Sequence, residues 1–183
     1  TELLEEQPIQ LDCNFPTYPQ SQIEILVLLI NEILQRHPEI DSIDIIGHAD
    51  IAPNRKSDPG PQFPWEELYK RGIGVWYDSD TATKYLNQFK NQPASISELQ
   101  CALSYYGYPI EVTGEQDIQS KFAFRAFQLH FQPWQTDGKI DNRTAATLWA
   151  LLEKYYPNYF QNKGVHQQLI RFFYIHEFQP YYR

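Results

Sequence analysis

The chain has 183 residues, 42% of them hydrophobic and 21% charged, an ordinary soluble composition with room for one large or two small domains. Its net charge of −8 argues against a nucleic-acid partner, which calls for a basic face, and leaves neutral or zwitterionic ligands open. No apolar run approaches the roughly 20 residues of a membrane span, no secretion signal opens the chain, and Cys13 and Cys101 form no CxxC pair. The two cysteines read as free buried thiols, with a disulfide as the alternative in an oxidising compartment.

In chain order, residues 1–17 read as irregular, with at most a short edge strand. Pro19 suits a first helical turn, and Ile23, Leu26, Val27, Ile30, Ile33 and Leu34 recur at helical spacing as far as Arg36. Ile25, Leu28 and Leu29 make the opposite face apolar too, so this helix is expected between a sheet and a further layer. Pro38 ends it. Residues 40–46 alternate as a strand through Ile43 and Ile45, which would deliver His48 to the loop at the strand's end. A short helix is expected over 63–71 with Pro64 in its first turn and a stop at Gly72, then an extended piece at 74–76 and a helix over 81–89.

Pro93-Ala94-Ser95 marks the expected domain boundary. Beyond it, Ser97 is placed to cap a helix through Leu99, Ala102, Leu103 and Tyr106, ended by Gly107. Ile118, Phe122, Ala126 and Leu129 mark a second helix, and Ala145, Leu148, Trp149 and Leu152 a third. In the aromatic-rich tail, residues 157–183, Val165, Leu169, Phe172, Phe173 and His176 would share one face of a helix docked on the body, with a carbohydrate-stacking surface as the sharper alternative.

Residues 47–65 carry the densest chemistry. His48 opens the stretch, and Asp58 follows inside Asp58-Pro59-Gly60-Pro61, where two prolines stiffen the backbone and a glycine permits a tight turn. A preset loop returning a carboxylate towards an imidazole suits a metal site, because zinc takes neutral His nitrogen and carboxylate oxygen. Asp50 and Arg55 read equally well as a loop-bracing ion pair, and His37, His130, His166 and His176 read as ordinary histidines.

Taken in order, His48-Ala49-Asp50-Ile51-Ala52-Pro53, Arg55-Lys56, Asp58-Pro59-Gly60-Pro61 and Phe63-Pro64-Trp65 resemble the zinc-dependent N-acetylmuramoyl-L-alanine amidases of the AmpD and AmiD group. The resemblance implies that His48 and Asp58 are two of three zinc ligands and that Lys56 stabilises the oxyanion. The family's third ligand and its general-base glutamate lie upstream of this motif and have no counterpart here. The chain therefore reads as beginning after the first half of the catalytic domain, and on its own it is expected to be inactive. The one rival for the missing ligand is His176, at the end of an apolar run.

Ala126-Phe127-Gln128, Asp137-Gly138-Lys139-Ile140-Asp141, Thr144 and Leu148 resemble the peptidoglycan-binding domain found behind such amidases. The resemblance implies an α/β fold, a partial amidase mixed sheet with helices over residues 1–92, followed by a small all-α peptidoglycan-binding-like domain over 93–156. It also implies zinc as cofactor, peptidoglycan or muropeptide as partner, and a place in the bacterial cell envelope, in the periplasm or at the outer membrane. Trp134, beside Pro133, is a candidate sugar-stacking ring or a core anchor. A wall-binding module without catalysis is the competing reading.

Overall fold

The computed structural model describes residues 15–161. Every regular element in that span is helical: α1 (Gln20–Arg36), a 3-10 turn (Ser42–Asp44), α2 (His48–Ile51), α3 (Trp65–Lys70), α4 (Ser79–Asn91), α5 (Ile96–Tyr106), α6 (Ile118–Phe131), α7 (Asn142–Tyr155) and α8 (Asn158–Gln161). Cys13, His166 and His176, and with them most of the expected tail helix, lie outside the described residues.

The expected α/β fold is therefore corrected: no β-strand occurs among the described residues, and only the all-α part of that expectation fits. The alternation of residues 40–46 satisfies the face pattern of a strand, but a strand also needs a partner for its backbone groups, and no described segment supplies one. Local hydrogen bonds take over instead. The Asp41 carboxylate accepts from the Ser42 N–H at 2.7 Å, the Asp44 carboxylate accepts from the Asp41 N–H at 2.9 Å, and the segment winds into the 3-10 turn. Residues 74–76 likewise run without a ladder, while Val75 and Trp76 are buried.

The expectation of α1 as a sandwiched helix is corrected by the same absence of a sheet. Ile23 is buried and Leu26, Val27 and Ile30 pack against the core, whereas Ile25, Leu28, Leu29 and Ile33 are exposed. The periodicity was apolar on two faces, and one face is covered.

The remaining helices form the body. α4 lies along α7, with Phe89 edge-on to Trp149 at 5.4 Å and Glu153 accepting hydrogen bonds from Tyr85 and Lys84. Phe124, Phe127 and Phe131 on α6 and Leu148, Leu151 and Leu152 on α7 are fully buried. The helix starts follow side-chain caps. Asp78, Asp117 and Asp141 cap α4, α6 and α7, and Ser95, rather than the expected Ser97, caps α5 in a reciprocal pair with Glu98. Residues 74–76 are tied to α7, since the Lys154 ammonium and the Tyr155 hydroxyl both donate to the Trp76 carbonyl.

Two buried glutamines hold two similar turns. Gln100 accepts from the Gly114 N–H and donates to Ser120 Oγ and the Glu115 carbonyl. Gln128 accepts from the Gly138 N–H at 2.7 Å and donates to the Lys139 carbonyl. In each case an aspartate three residues beyond the glycine caps the next helix, so helix, glycine turn and capped helix are built twice, once over α5 and α6 and again over α6 and α7.

Candidate active site

His48 is the first residue of α2, and Asp58 returns to it along the proline-rich loop, placing His48 Nδ1 3.1 Å from Asp58 Oδ2. The two side chains are 40% and 62% exposed, and an ion pair so open to water is worth only about 0–1 kcal/mol. Their proximity is therefore set by the loop. The Ala49 N–H donates to the Asp58 carbonyl at 3.0 Å, and the Tyr18 hydroxyl donates to the Pro59 carbonyl at 2.8 Å. Gly60, at φ +86°, lies so close to the Phe15 ring that a Cβ would meet it at 2.5 Å. Gly47 meets Pro59 in the same way, where a Cβ would come within 2.8 Å of the proline Cδ. The backbone approach fixes the side chains.

The donor set suits a metal in part. Two ligands each about 2.0–2.2 Å from a tetrahedral ion stand roughly 3.4 Å apart, close to the separation of the His48 and Asp58 atoms. They fit two positions of such a shell. Among the described residues no group of three His, Cys, Asp or Glu side chains lies close enough to hold an ion.

The most deeply built feature of the region is Asp50. It is 6% exposed and accepts three hydrogen bonds: from the Gly47 N–H at 2.7 Å, the Tyr108 hydroxyl at 2.5 Å and His130 Nδ1 at 2.8 Å. An ionised carboxylate only accepts, so the facing histidine nitrogen carries the proton. Burial first, then the nearby Asp50 carboxylate, hold the Tyr108 phenol well above its usual pKa, which keeps it a donor. His130 is stacked between Trp65 at 3.8 Å and Phe131 at 4.0 Å, and its Nε2 has no hydrogen-bond partner among the described residues. Asp50 thus ties the start of α2, where His48 sits, to Tyr108 and α6. It does not pair with Arg55, which is exposed.

Lys56 is half-buried two residues before Asp58, and its backbone N–H donates to the Ala52 carbonyl at 3.0 Å. No ion pair engages its ammonium among the described residues. Trp134 is 56% exposed and stands outside the core. The structure brings His48 and Asp58 together, and it adds Asp50, Tyr108 and His130, to which the sequence reading assigned no chemistry. The three-residue spacing from Gly47 to Asp50, that of a reciprocal helix-start cap, was the available signal for Asp50. Nothing local could have paired it with His130, 80 positions away.

The described residues thus form a helical body, with His48 at the start of α2 and Asp58 on the loop that returns to it. Residues 92–148 match the family described as "Putative peptidoglycan binding domain". The chain is 38% identical over 142 residues to the N-acetylmuramoyl-L-alanine amidase AmiD of Escherichia coli, an alignment covering 77% of this chain and 51% of that protein. The crystal structure of AmpDH3 from Pseudomonas aeruginosa superposes with a TM-score of 0.74 at 45% identity, over 78% of this chain and 56% of that one. E. coli AmiD in complex with anhydro-N-acetylmuramic acid-L-Ala-D-γ-Glu-L-Lys superposes with a TM-score of 0.65 at 35% identity, over 78% and 55%. The chain is a homologue of the N-acetylmuramoyl-L-alanine amidases of the AmiD and AmpD type. It spans about half the length of AmiD and AmpDH3.

Proposed function

We propose that this chain serves in hydrolysis of the amide bond between N-acetylmuramic acid and L-alanine, in peptidoglycan or in muropeptides released from it. In this reading residues 1–92 are the C-terminal part of the catalytic domain and residues 93–156 hold the enzyme on the wall. The substrate in the AmiD complex, an anhydromuramoyl tripeptide, is the reference ligand. The same reading places the protein in the cell envelope, in the periplasm or at the outer membrane. No helix among the described residues is long and apolar enough to cross a membrane.

The observation that carries the reading is the 3.1 Å approach of His48 Nδ1 to Asp58 Oδ2 on a loop held by other contacts. His48 and Asp58 would supply two zinc ligands, the neutral imidazole through a ring nitrogen and the carboxylate through an oxygen. Zinc, when bound, polarises a carbonyl and lowers the pKa of coordinated water towards about 7. Asp50 orients α2 and so sets the direction of the His48 ring. Lys56, whose ammonium has no ion-pair partner among the described residues, offers a positive charge to the charge that develops on the carbonyl oxygen during attack. Trp134, exposed on the helical unit, offers a face for a sugar ring.

A zinc-loaded enzyme carrying this chain is expected to release L-Ala-D-γ-Glu-L-Lys from the anhydromuramoyl tripeptide, and His48→Ala is expected to abolish release. Release undiminished in His48→Ala would refute the assignment. The second reading, a wall-binding module without catalysis, is favoured by the absence of a third metal donor among the described residues. Stoichiometric zinc together with peptide release would remove it.

A further inference from the structure

We propose that Arg125 anchors a carboxylate-binding cleft in the helical unit, one that grips a carboxylate of the peptidoglycan stem peptide. The inference rests on the reading of residues 93–156 as a wall-binding unit and names the chemical group which that unit holds. Arg125 projects from α6 into a cleft of about 440 Å³ between the start of that helix and the turn through Gly138. It is 9% exposed, and its Nε–H is buried with no hydrogen-bond partner among the described residues. Burial pulls its pKa below the usual guanidinium value. An arginine placed this deeply ordinarily has a carboxylate against it, because a buried charge without a partner is costly.

Both carboxylates on the cleft wall are engaged elsewhere. Asp117 accepts from the Ser120 N–H and hydroxyl, from the Thr113 hydroxyl and from Gln119 Nε2. Asp137 accepts from the Lys139 N–H at 3.0 Å and pairs with the Lys139 ammonium at 3.3 Å. Lys121, exposed at the rim, makes no ion pair among the described residues and adds a second positive charge. The wall is also tight where it has to be. Gly138, at φ +72°, packs so closely on α6 that a Cβ would meet the Lys121 carbonyl at 2.4 Å.

The guanidinium fork matches the two oxygens of a carboxylate, and a cleft of this size admits a peptide fragment. The net charge of −8 repels multiply charged anions at long range, so a zwitterionic peptide suits the site better than a polyphosphate. L-Ala-D-γ-Glu-L-Lys, the peptide of the AmiD complex, is such a ligand, with a free carboxylate on the γ-linked glutamate and another at its end.

The test follows the Arg125 Nε–H resonance in the ¹⁵N-labelled chain, assigned by its loss in Arg125→Lys. It is expected to shift with L-Ala-D-γ-Glu-L-Lys and to stay in place with the same peptide amidated at both carboxylates. Arg125→Met, which keeps most of the apolar stem, is expected to sediment with insoluble peptidoglycan about tenfold more weakly than wild type while retaining its circular dichroism, the size of a lost charge-assisted contact. A resonance unmoved by the peptide, or moved equally by its amide or by inorganic phosphate, overturns the proposal. Wild type that sediments while Arg125→Met sediments equally also overturns it, with wall binding left standing. Wild type that fails to sediment sinks the wall-binding reading itself, and the resonance then decides on its own whether Arg125 binds the peptide carboxylate.

Discussion

Replacing Asp50 with alanine should cost more stability than any single change to His48, Lys56 or Asp58, because Asp50 is the buried member of the set. The substitution strands three donors, the Gly47 N–H, the Tyr108 hydroxyl and His130 Nδ1. Each unsatisfied buried donor costs about 1–3 kcal/mol. Water entering the space left behind offsets part of the sum, so the expected loss is about 3–5 kcal/mol. With a urea dependence of roughly 2 kcal/mol per molar, the unfolding midpoint should fall by about 2 M. Tyr108→Phe removes a single donor and should cost about 1 kcal/mol. The double variant should lose less than the two single losses combined, because Tyr108→Phe removes one of the donors that Asp50→Ala strands. A loss below about 1 kcal/mol for Asp50→Ala, or strict additivity with Tyr108→Phe, would refute the account of Asp50 as the link between α2 and α6.

Gly138→Ala should destabilise by several kcal/mol, since it combines a left-handed backbone with a 2.4 Å clash against the Lys121 carbonyl, whereas Gly72→Ala meets open space and carries only the backbone strain; thermal melts of the two variants would check the order. In a zinc-loaded enzyme carrying this chain, Lys56→Ala should lower kcat on the order of 100-fold with metal content unchanged, and an unaltered kcat or a metal-free variant would remove the oxyanion role. Burial alone would raise Asp117, but hydrogen bonds from Ser120, Gln119 and Thr113 outweigh it and bring its pKa to about 2, below the unfolded value of about 3.9. Its cap therefore contributes fully above about pH 4 and is lost as the pH falls towards 2, so Asp117→Asn should flatten that part of the acid-unfolding curve. Leu28→Lys, on the exposed face of α1, should change stability by no more than about 0.5 kcal/mol.

The helices from α3 to α7 were legible because each carries its own signals within a few residues. An apolar period and a capping aspartate identify α6 and α7, and Gly107 ends α5 where expected, at φ +122°. Ser95 and Ser97 both precede apolar residues, and Glu98 decides for Ser95 because only that spacing closes the reciprocal cap. The expected sheet does not form among the described residues, and the sequence carried no local sign of that. A helix satisfies its own backbone, while the alternation of Ile43 and Ile45 becomes a strand only beside another strand. At the site, the proline-rich return of Asp58 to His48 is a local feature and could be read. The pairing of Asp50 with Tyr108 and His130 is a product of how α2 meets α6, and no local pattern in the chain encodes it.

The claim on which the rest depends is that His48 and Asp58 share one metal ion. Calorimetric titration of zinc into the chain tests it most directly, with His48→Ala, Asp58→Ala and the remote His37→Ala alongside. One equivalent should bind to wild type and to His37→Ala, more weakly than at a three-ligand site, and binding should be lost in both His48→Ala and Asp58→Ala. Equal zinc binding by wild type and by those two variants would contradict it.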